Sequence, residues 1–272
     1  MSLVDVVIPC YNESALAVRL TILAVKSQSM PPARVTLVDD CSDDDAVSEL
    51  APTLGVDLLR LPENAGIAAA RNTGIRHGSS PFIACINVEV LPEPGYIETC
   101  SAYMDEHPNV GVVAVRTLPE DLRAIRTRWR MLYHEAHYPT NSGKVDWGSG
   151  HALFFRREAI ERIGGFDERR GKAGEDLDAC WRLQSAGWEV HFVANTGCVS
   201  IQEDSWRTLA RAEYNRSVWR ANAGNGILRG LTIAMNRLAQ RSARHLVFLR
   251  WRMLPVELAV YWHVLPFIWR HR

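Results

Sequence analysis

Four short stretches of the 272-residue chain carry side chains able to do chemistry. Asn87-Val88-Glu89 follows the apolar run Phe82–Ile86. Residues two apart on a strand point the same way. Asn87 and Glu89 are therefore expected to present an amide and a carboxylate on one side, at the carboxyl end of a central strand. Ligands of open α/β sheets bind at that edge, although a polar strand end facing solvent has the same pattern. Asp39 and Asp40 close a second apolar run, two residues ahead of Ser42. A carboxylate there can accept from a nucleobase imide or a ribose hydroxyl, or it can cap a helix. Glu175-Asp176 stand at the start of a helical pattern behind the Gly-rich loop Gly171–Gly174. The helix dipole favours acids in a first turn, and a carboxylate held there could also deprotonate a bound hydroxyl. Arg71 lies on a helix behind the turn Asn64-Ala65-Gly66. It can pair with a phosphate or with a neighbouring acid.

The elements that must position these groups alternate regularly. Strands are predicted at Val4–Pro9, Val35–Val38, Asp57–Leu61, Phe82–Ile86, Val110–Val115, Ala152–Phe155 and Glu189–Val193. Helices are predicted at Ala15–Gln28, Asp43–Leu54, Ala68–His77, Pro94–Glu106, Arg156–Ile163 and Glu175–Ala186. This alternation implies βαβ units and a largely parallel sheet with right-handed crossovers. Residues 118–146, rich in Arg and aromatics, suit a loop or small helix over a site. Ser205 is placed to cap a helix from Trp206 to about Asn222.

Net charge is zero, but unevenly placed. Residues 227–272 hold eight Arg, no Lys and one acid, Glu257, a net +7 that leaves −7 on residues 1–226. Such asymmetry points to an anionic partner. The interleaving of Arg with Trp219, Trp251, Trp262, Trp269 and aliphatic residues argues against nucleic acid. It suits either a helix at a bilayer interface or a helical pair packed on the core or in a homodimer. Met253–Trp269 is too interrupted for a spanning helix, which needs ~20 mostly apolar residues. The six cysteines form no CxxC pair and several sit in apolar runs, as expected of reduced, mostly buried thiols in a cytoplasmic protein. Leu3–Pro9 is too short for the apolar core of a signal peptide.

The order of these stretches resembles family 2 glycosyltransferases of the GT-A fold. The resemblance runs through VVIPCYNE (6–13), LVDDCSDDD (37–45), NAGIAAARNTGI (64–75), INVEVLPEPGYI (86–97), GGFDE (164–168) and GEDLDACWRLQSAGW (174–188). It implies an α/β GT-A domain over residues 1–203, Rossmann-like with a mostly parallel sheet, while the Arg/Trp-rich helical extension at 204–272 lies outside the resemblance. It implies an inverting, hexosyltransferase-type enzyme that moves sugar from a nucleoside-diphosphate sugar to an acceptor hydroxyl on a glycan, lipid or small molecule; the cysteines and the tail add the expectation of a place in the cytoplasm or at the cytoplasmic membrane face. On this resemblance Pro9, Tyr11, Glu13 and Asp39 hold the nucleoside, and Arg71 sits near the phosphates. Trp147–Gly150, with Gly150 at its end, lines the sugar and acceptor pocket. Asp176, with Glu175 beside it, is the general base. Asn87 and Glu89 fall on the family's DxD positions, which bind Mg²⁺ or Mn²⁺ and the diphosphate. The chain departs from the family there, since Asn replaces the first acid, and no His stands near Val199–Gln202, where the family often has one. Those departures keep a second reading open, a nucleotide-sugar-binding homologue without activity that serves as a partner subunit.

Overall fold

In the computed structural model, residues 4–121, 123–131, 138–170, 174–202 and 205–210 are described, with seven positions between 255 and 263. The chain divides into two compact units, residues 1–120 with 138–202, and residues 121–137 with 203–272. The first unit is an α/β sandwich on one mixed sheet. Its elements run β1 (Val4–Cys10), α1 (Ala15–Lys26), β2 (Arg34–Asp39), α2 (Ala46–Thr53), β3 (Asp57–Arg60), α3 (Ile67–His77), β4 (Phe82–Ile86), β5 (Val90–Pro92), α4 (Tyr96–Glu106) and β6 (Val110–Pro119). After α5 (Ile125–Arg130), which belongs to the second unit, come β7 (Gly143–Lys144), β8 (Ala152–Arg156), α6 (Arg157–Arg162), α7 (Glu175–Ser185) and β9 (Glu189–Ser200).

The strand order is β3-β2-β1-β4-β8-β6-β9-β5, with β7 alongside β9. β3, β2, β1 and β4 are parallel, as are β6 and β9. β8 enters antiparallel between β4 and β6, and β5 and β7 pair antiparallel with β9. The sheet is thus more mixed than the strand–helix alternation predicts. β7 and β8 run in the same sense, both opposed to β6 and β9.

Every residue of β1 is buried, because helices cover both faces of the sheet. Val4, Val6, Ile8 and Cys10 pack with Ala17, Val18, Ile22 and Val25 of α1 on one face. Val7 packs with Ala68, Ala70 and Ile75 of α3 on the other. Gly74 lets α3 approach that closely, since a Cβ there would lie 2.3 Å from Val7 Cγ1. The β1–β4 ladder ends at Val7↔Cys85, while β1 stays paired with β2 as far as Cys10↔Asp39. Pro9, which has no N–H to donate, falls in the stretch where β4 pairing has stopped. β1 and β4 therefore part at their carboxyl ends.

In the second unit, Ser205 accepts from the Thr208 N–H at 3.1 Å and opens the helical stretch 206–210, the N-cap expected from sequence. Arg126 lies over the Trp206 ring, 5.6 Å from its centroid. Most of the Arg/Trp-rich tail, including the rest of that helix and Trp219, Trp251 and Trp269, lies outside the described residues. Among the described residues no helix is long and apolar enough to cross a membrane. All six cysteines are free thiols. Burial pushes Cys10, Cys85 and Cys180 up to about 12, which keeps them protonated and unreactive.

Candidate active site

The carboxyl ends of β1, β2 and β4 carry the described non-glycine residues with left-handed backbone, Asn12 (φ 55°), Cys41 (φ 63°) and Glu89 (φ 68°). Such conformations persist where the surroundings over-determine them, and they gather at functional sites. Asn12 and Glu89 have a hydrogen-bonded reason here. The Asn12 N–H donates to Ser42 Oγ at 2.9 Å, and its side chain exchanges two bonds with Asp43. These bonds lock the β1 and β2 ends together. They also hold Asp43 outside α2, which begins at Ala46, three residues after the expected start.

Asp39 is fully buried. Its Oδ1 accepts from the Ser42 N–H (3.0 Å) and hydroxyl (2.6 Å). Its Oδ2 lies 3.4 Å from Arg60 Nε and has no hydrogen-bond partner. A buried carboxylate oxygen without a donor is an acceptor in waiting. Asp40 is committed to the fold, for its two oxygens accept the Ala65 and Gly66 N–H groups at 2.8 Å each and cap α3. Of the other expected nucleoside contacts, Pro9 is buried in β1, Tyr11 is exposed, and Glu13 is half-buried. Burial first, and then the Glu89 carboxylate, push the Glu13 carboxyl above its usual range.

Asn87 and Glu89 do not share a strand face. β4 stops at Ile86, and the Val90 N–H donates to the Asn87 carbonyl at 3.3 Å in a tight turn. The chain must reverse at once for β5 to pair with β9, which forces Glu89 into the left-handed region. Its N–H donates to Thr21 Oγ1 at 3.1 Å. The period-two argument fails there because the strand ends one residue too early.

Arg71 supplies the centre. It is 1% exposed. Its Nη1 donates to Glu175 Oε1 at 2.7 Å, and its Nη2 donates to Asn87 Oδ1 at 2.8 Å and to the Gly150 carbonyl at 2.7 Å. The Phe166 ring lies 5.1 Å below the guanidinium. Three of its four terminal N–H groups thus lead to internal acceptors, and the guanidinium faces inward. Glu175 is buried and paired with Arg71 through Oε1.

Asp176, one residue on, is only partly buried. Its Oδ2 accepts from the Gly150 N–H at 2.8 Å and its Oδ1 from the Leu177 N–H at 2.9 Å. A carboxylate has about four lone-pair sites, so acceptor capacity remains on both oxygens. Gly150 has no room for a side chain, because a Cβ would stand 2.8 Å from Asp176 Oδ2. His151 was not foreseen. Its carbonyl accepts from the Asn87 N–H at 2.9 Å and its Nδ1 meets Ser149 Oγ at 2.9 Å. Nor was Arg60, whose Nη1 binds Asp45 at 2.6 Å and whose Nη2 binds the Ser42 carbonyl at 2.7 Å. The polar segment 145–151 was the only signal for the first, and the end of β3 beside β2 the only one for the second. Trp147 stands exposed at the head of this segment.

A divalent ion is testable against these residues. Asn87 does not fit as a ligand, because its oxygen already faces a guanidinium. Among the described residues no group of three or more His, Cys, Asp or Glu could hold a metal ion. The Glu13–Glu89 pair does fit a cation shared with substrate phosphates, the mode in which one or two carboxylates suffice. The raised Glu13 marks a carboxylate repulsion that positive charge would relieve.

The Glycosyl transferase family 2 model matches residues 5–164. The chain is 30% identical over 203 residues to the pre-mycofactocin glycosyltransferase of Mycobacterium tuberculosis, covering 70% of this chain and 40% of that protein. It is 24% identical over 211 residues to the UDP-forming cellulose synthase 1 catalytic subunit of Komagataeibacter xylinus, covering 70% and 27%. The chain therefore spans less than half the length of these curated relatives. Among solved structures, it is similar to the Pyrobaculum calidifontis mannosyltransferase PcManGT in complex with GDP-Man and Mn²⁺, with a TM-score of 0.63, 19% identity and coverage of 95% and 85%. It is also similar to GalNAc-T7 with UDP, GalNAc and Mn²⁺, with a TM-score of 0.61, 15% identity and coverage of 74% and 44%. These likenesses place the fold among GT-A glycosyltransferases.

Proposed function

The chain belongs to glycosyl transferase family 2, and from that premise we propose that it transfers a sugar, with inversion, from a nucleoside-diphosphate sugar to an acceptor hydroxyl. The observation that carries this reading is the Asp176 carboxylate, oriented by two backbone N–H groups and still part-exposed beside Gly150. Asp176 takes the proton of the acceptor hydroxyl. The acceptor oxygen forms a bond to the anomeric carbon from the face opposite the diphosphate, the carbon–phosphate-oxygen bond breaks, and the nucleoside diphosphate leaves with that electron pair. Base assistance of this kind is worth about 10²–10⁴-fold in rate.

The unpartnered Asp39 Oδ2 is suited to accept an imide or ribose donor of the nucleoside, with Pro9, Tyr11 and Glu13 around it. Trp147 to Gly150 form the sugar and acceptor side. Glu89, with Glu13 beside it, would hold Mg²⁺ or Mn²⁺ together with the diphosphate, and such an ion supplies charge neutralisation on the leaving group. The Arg/Trp-rich tail supports a place in the cytoplasm at the membrane face and an acceptor destined for a lipid-linked or envelope glycan. A silent partner subunit is disfavoured because the base and the nucleoside carboxylate are both in place.

UDP- and GDP-sugars, the donor types of the structural neighbours, define the screen. Donor binding and hydrolysis are measured with and without Mn²⁺. Asp39→Ala is expected to lose donor binding. Asp176→Asn is expected to keep binding and melting temperature while turnover falls about 10²–10⁴-fold. Turnover by Asp176→Asn at the wild-type rate would remove the assignment of the base.

A further inference from the structure

Gly150 is gripped at both ends. Its carbonyl receives Arg71 Nη2 at 2.7 Å, and its N–H is given to Asp176 Oδ2 at 2.8 Å. The same guanidinium holds Glu175, the residue next to Asp176, at 2.7 Å, and Asn87 at 2.8 Å. The Asn87 N–H in turn fixes the neighbouring His151 carbonyl at 2.9 Å. Three segments remote in sequence, at the end of β4, before β8 and at the start of α7, thus converge on one side chain of α3. Asp176 is approached through two of them.

We infer that Arg71 is a positioning residue for the transfer reaction, setting the orientation of Asp176 through Gly150 and Glu175 rather than binding the donor phosphates. The inference rests on the reading of Asp176 as base. It also accounts for the departure from the family pattern at Asn87. An Asp there would set a second carboxylate against the buried Arg71–Glu175 pair and compete with Glu175 for the guanidinium. A neutral amide accepts the Nη2 hydrogen and leaves the pair balanced. A planar fork serves three acceptors in fixed directions, which an ammonium cannot do. A displacement of a catalytic group by about 1 Å costs roughly 10²-fold in rate.

The test is the kinetics of Arg71→Lys, which keeps the charge and loses the fork. Hydrolysis of UDP-glucose, UDP-N-acetylglucosamine and GDP-mannose supplies the rate, with water as the acceptor that Asp176 must activate, and calorimetry with UDP and GDP supplies the affinity. The expected result is a kcat lower by about 10–100-fold, with donor KM and nucleotide affinity changed less than about threefold. In the Asp176→Asn background the same substitution is expected to cost little more, because groups acting as a unit are not additive. A raised donor KM with kcat retained would identify a phosphate contact and overturn the inference, as would fully additive losses in the double variant. Should Arg71→Lys fail to fold, Asn87→Ala carries the test with Arg71 in place, and a smaller kcat loss of the same kind is expected. The same change confined to KM would overturn the inference. Wild-type turnover by Asp176→Asn alone, or no turnover by the wild type, strikes the reading beneath the inference and is read before any Arg71 variant.

Discussion

The sheet has an arginine clamp at each edge, one buried and one mostly buried, and the two are built from the same parts to different ends. At the amino edge Arg157 donates through Nε to the Ser80 carbonyl, through Nη1 to the Ile75 carbonyl and Glu161, and through Nη2 to Asp5 at 3.0 Å. Asp5 also accepts the Ser80 N–H and hydroxyl at 2.8 Å each. Every side-chain nitrogen of that arginine has a partner, spread over α3, the link from α3 to β4, β1 and α6. At the carboxyl edge Arg71 leaves Nε buried without a partner, and it joins segments that carry acids beside the part-exposed Asp176 carboxylate. Burial and an acid partner are common to both. What differs is the neighbour in sequence: Ser80 leads only into a strand, whereas Glu175 leads into Asp176. A buried ion pair therefore says little about function until the adjacent residues are read.

This contrast can be broken most sharply at the amino edge. Asp5→Ala strands Arg157 among carbonyls, and removing one partner of a buried pair typically costs about 3–5 kcal/mol. Chemical denaturation should show that loss, while kcat of the remaining folded protein stays at the wild-type value. A kcat effect as large as that of Arg71→Lys would erase the distinction between the edges.

Glycines sharpen it next. A Cβ on Gly78 would meet Asp5 Oδ2 at 2.1 Å, and one on Gly150 would meet Asp176 Oδ2 at 2.8 Å. Gly78→Ala is expected to destabilise by about 1–3 kcal/mol with kcat intact. Gly150→Ala is expected to reduce kcat by about tenfold or more through a displaced Asp176, with a smaller change in melting temperature. Parallel melting and turnover curves for the two variants give the answer.

The smallest effect is electrostatic. The Glu13 carboxyl titrates above its ordinary value because of burial and Glu89. The folded state then holds that proton longer than the unfolded chain. The stability linked to it is present below the ordinary value of 4.5 and is lost as pH rises through the folded value. Glu13→Gln should raise the melting temperature at neutral pH, and the gain should vanish in acid. At the amino edge the slope reverses. Burial lowers His191, with Glu189 pulling partly the other way and His107 and Lys144 adding to the depression. The unfolded chain takes up that proton first, so stability is lost as pH falls from 6.5 through the folded value. His191→Gln should flatten that limb of the melting profile and leave the Glu13 limb untouched.

Much of the fold was legible because it follows from local pattern. β4 at Phe82–Ile86 and the cap at Ser205 stand where apolar runs and capping chemistry put them. β6 and β9 run past their apolar stretches to Pro119 and Ser200, since ladder partners sustain a strand whose own side chains turn polar, with a register shift at Val115/Arg116. The candidate site was legible as residues and illegible as contacts. Asp39 and Asp176 could be picked from their places at element ends. That Arg71 spends itself on Glu175, 104 positions away, and on the Gly150 carbonyl, 79 away, depends on how three segments meet, which no periodicity encodes.

The antiparallel pairing of β8 with β4 has one more consequence. Ile86 stands opposite Ala152, and the Asn87 N–H continues the ladder to the His151 carbonyl. The depth of Gly150 is therefore metered by the ladder and is independent of the path by which the chain arrives from β7. The approach is tied separately, since the Val145 N–H donates to the Val190 carbonyl at 2.8 Å and the Asp146 carbonyl accepts from Gln184 Nε2 at 3.1 Å, so the floor of the site is held from both sides.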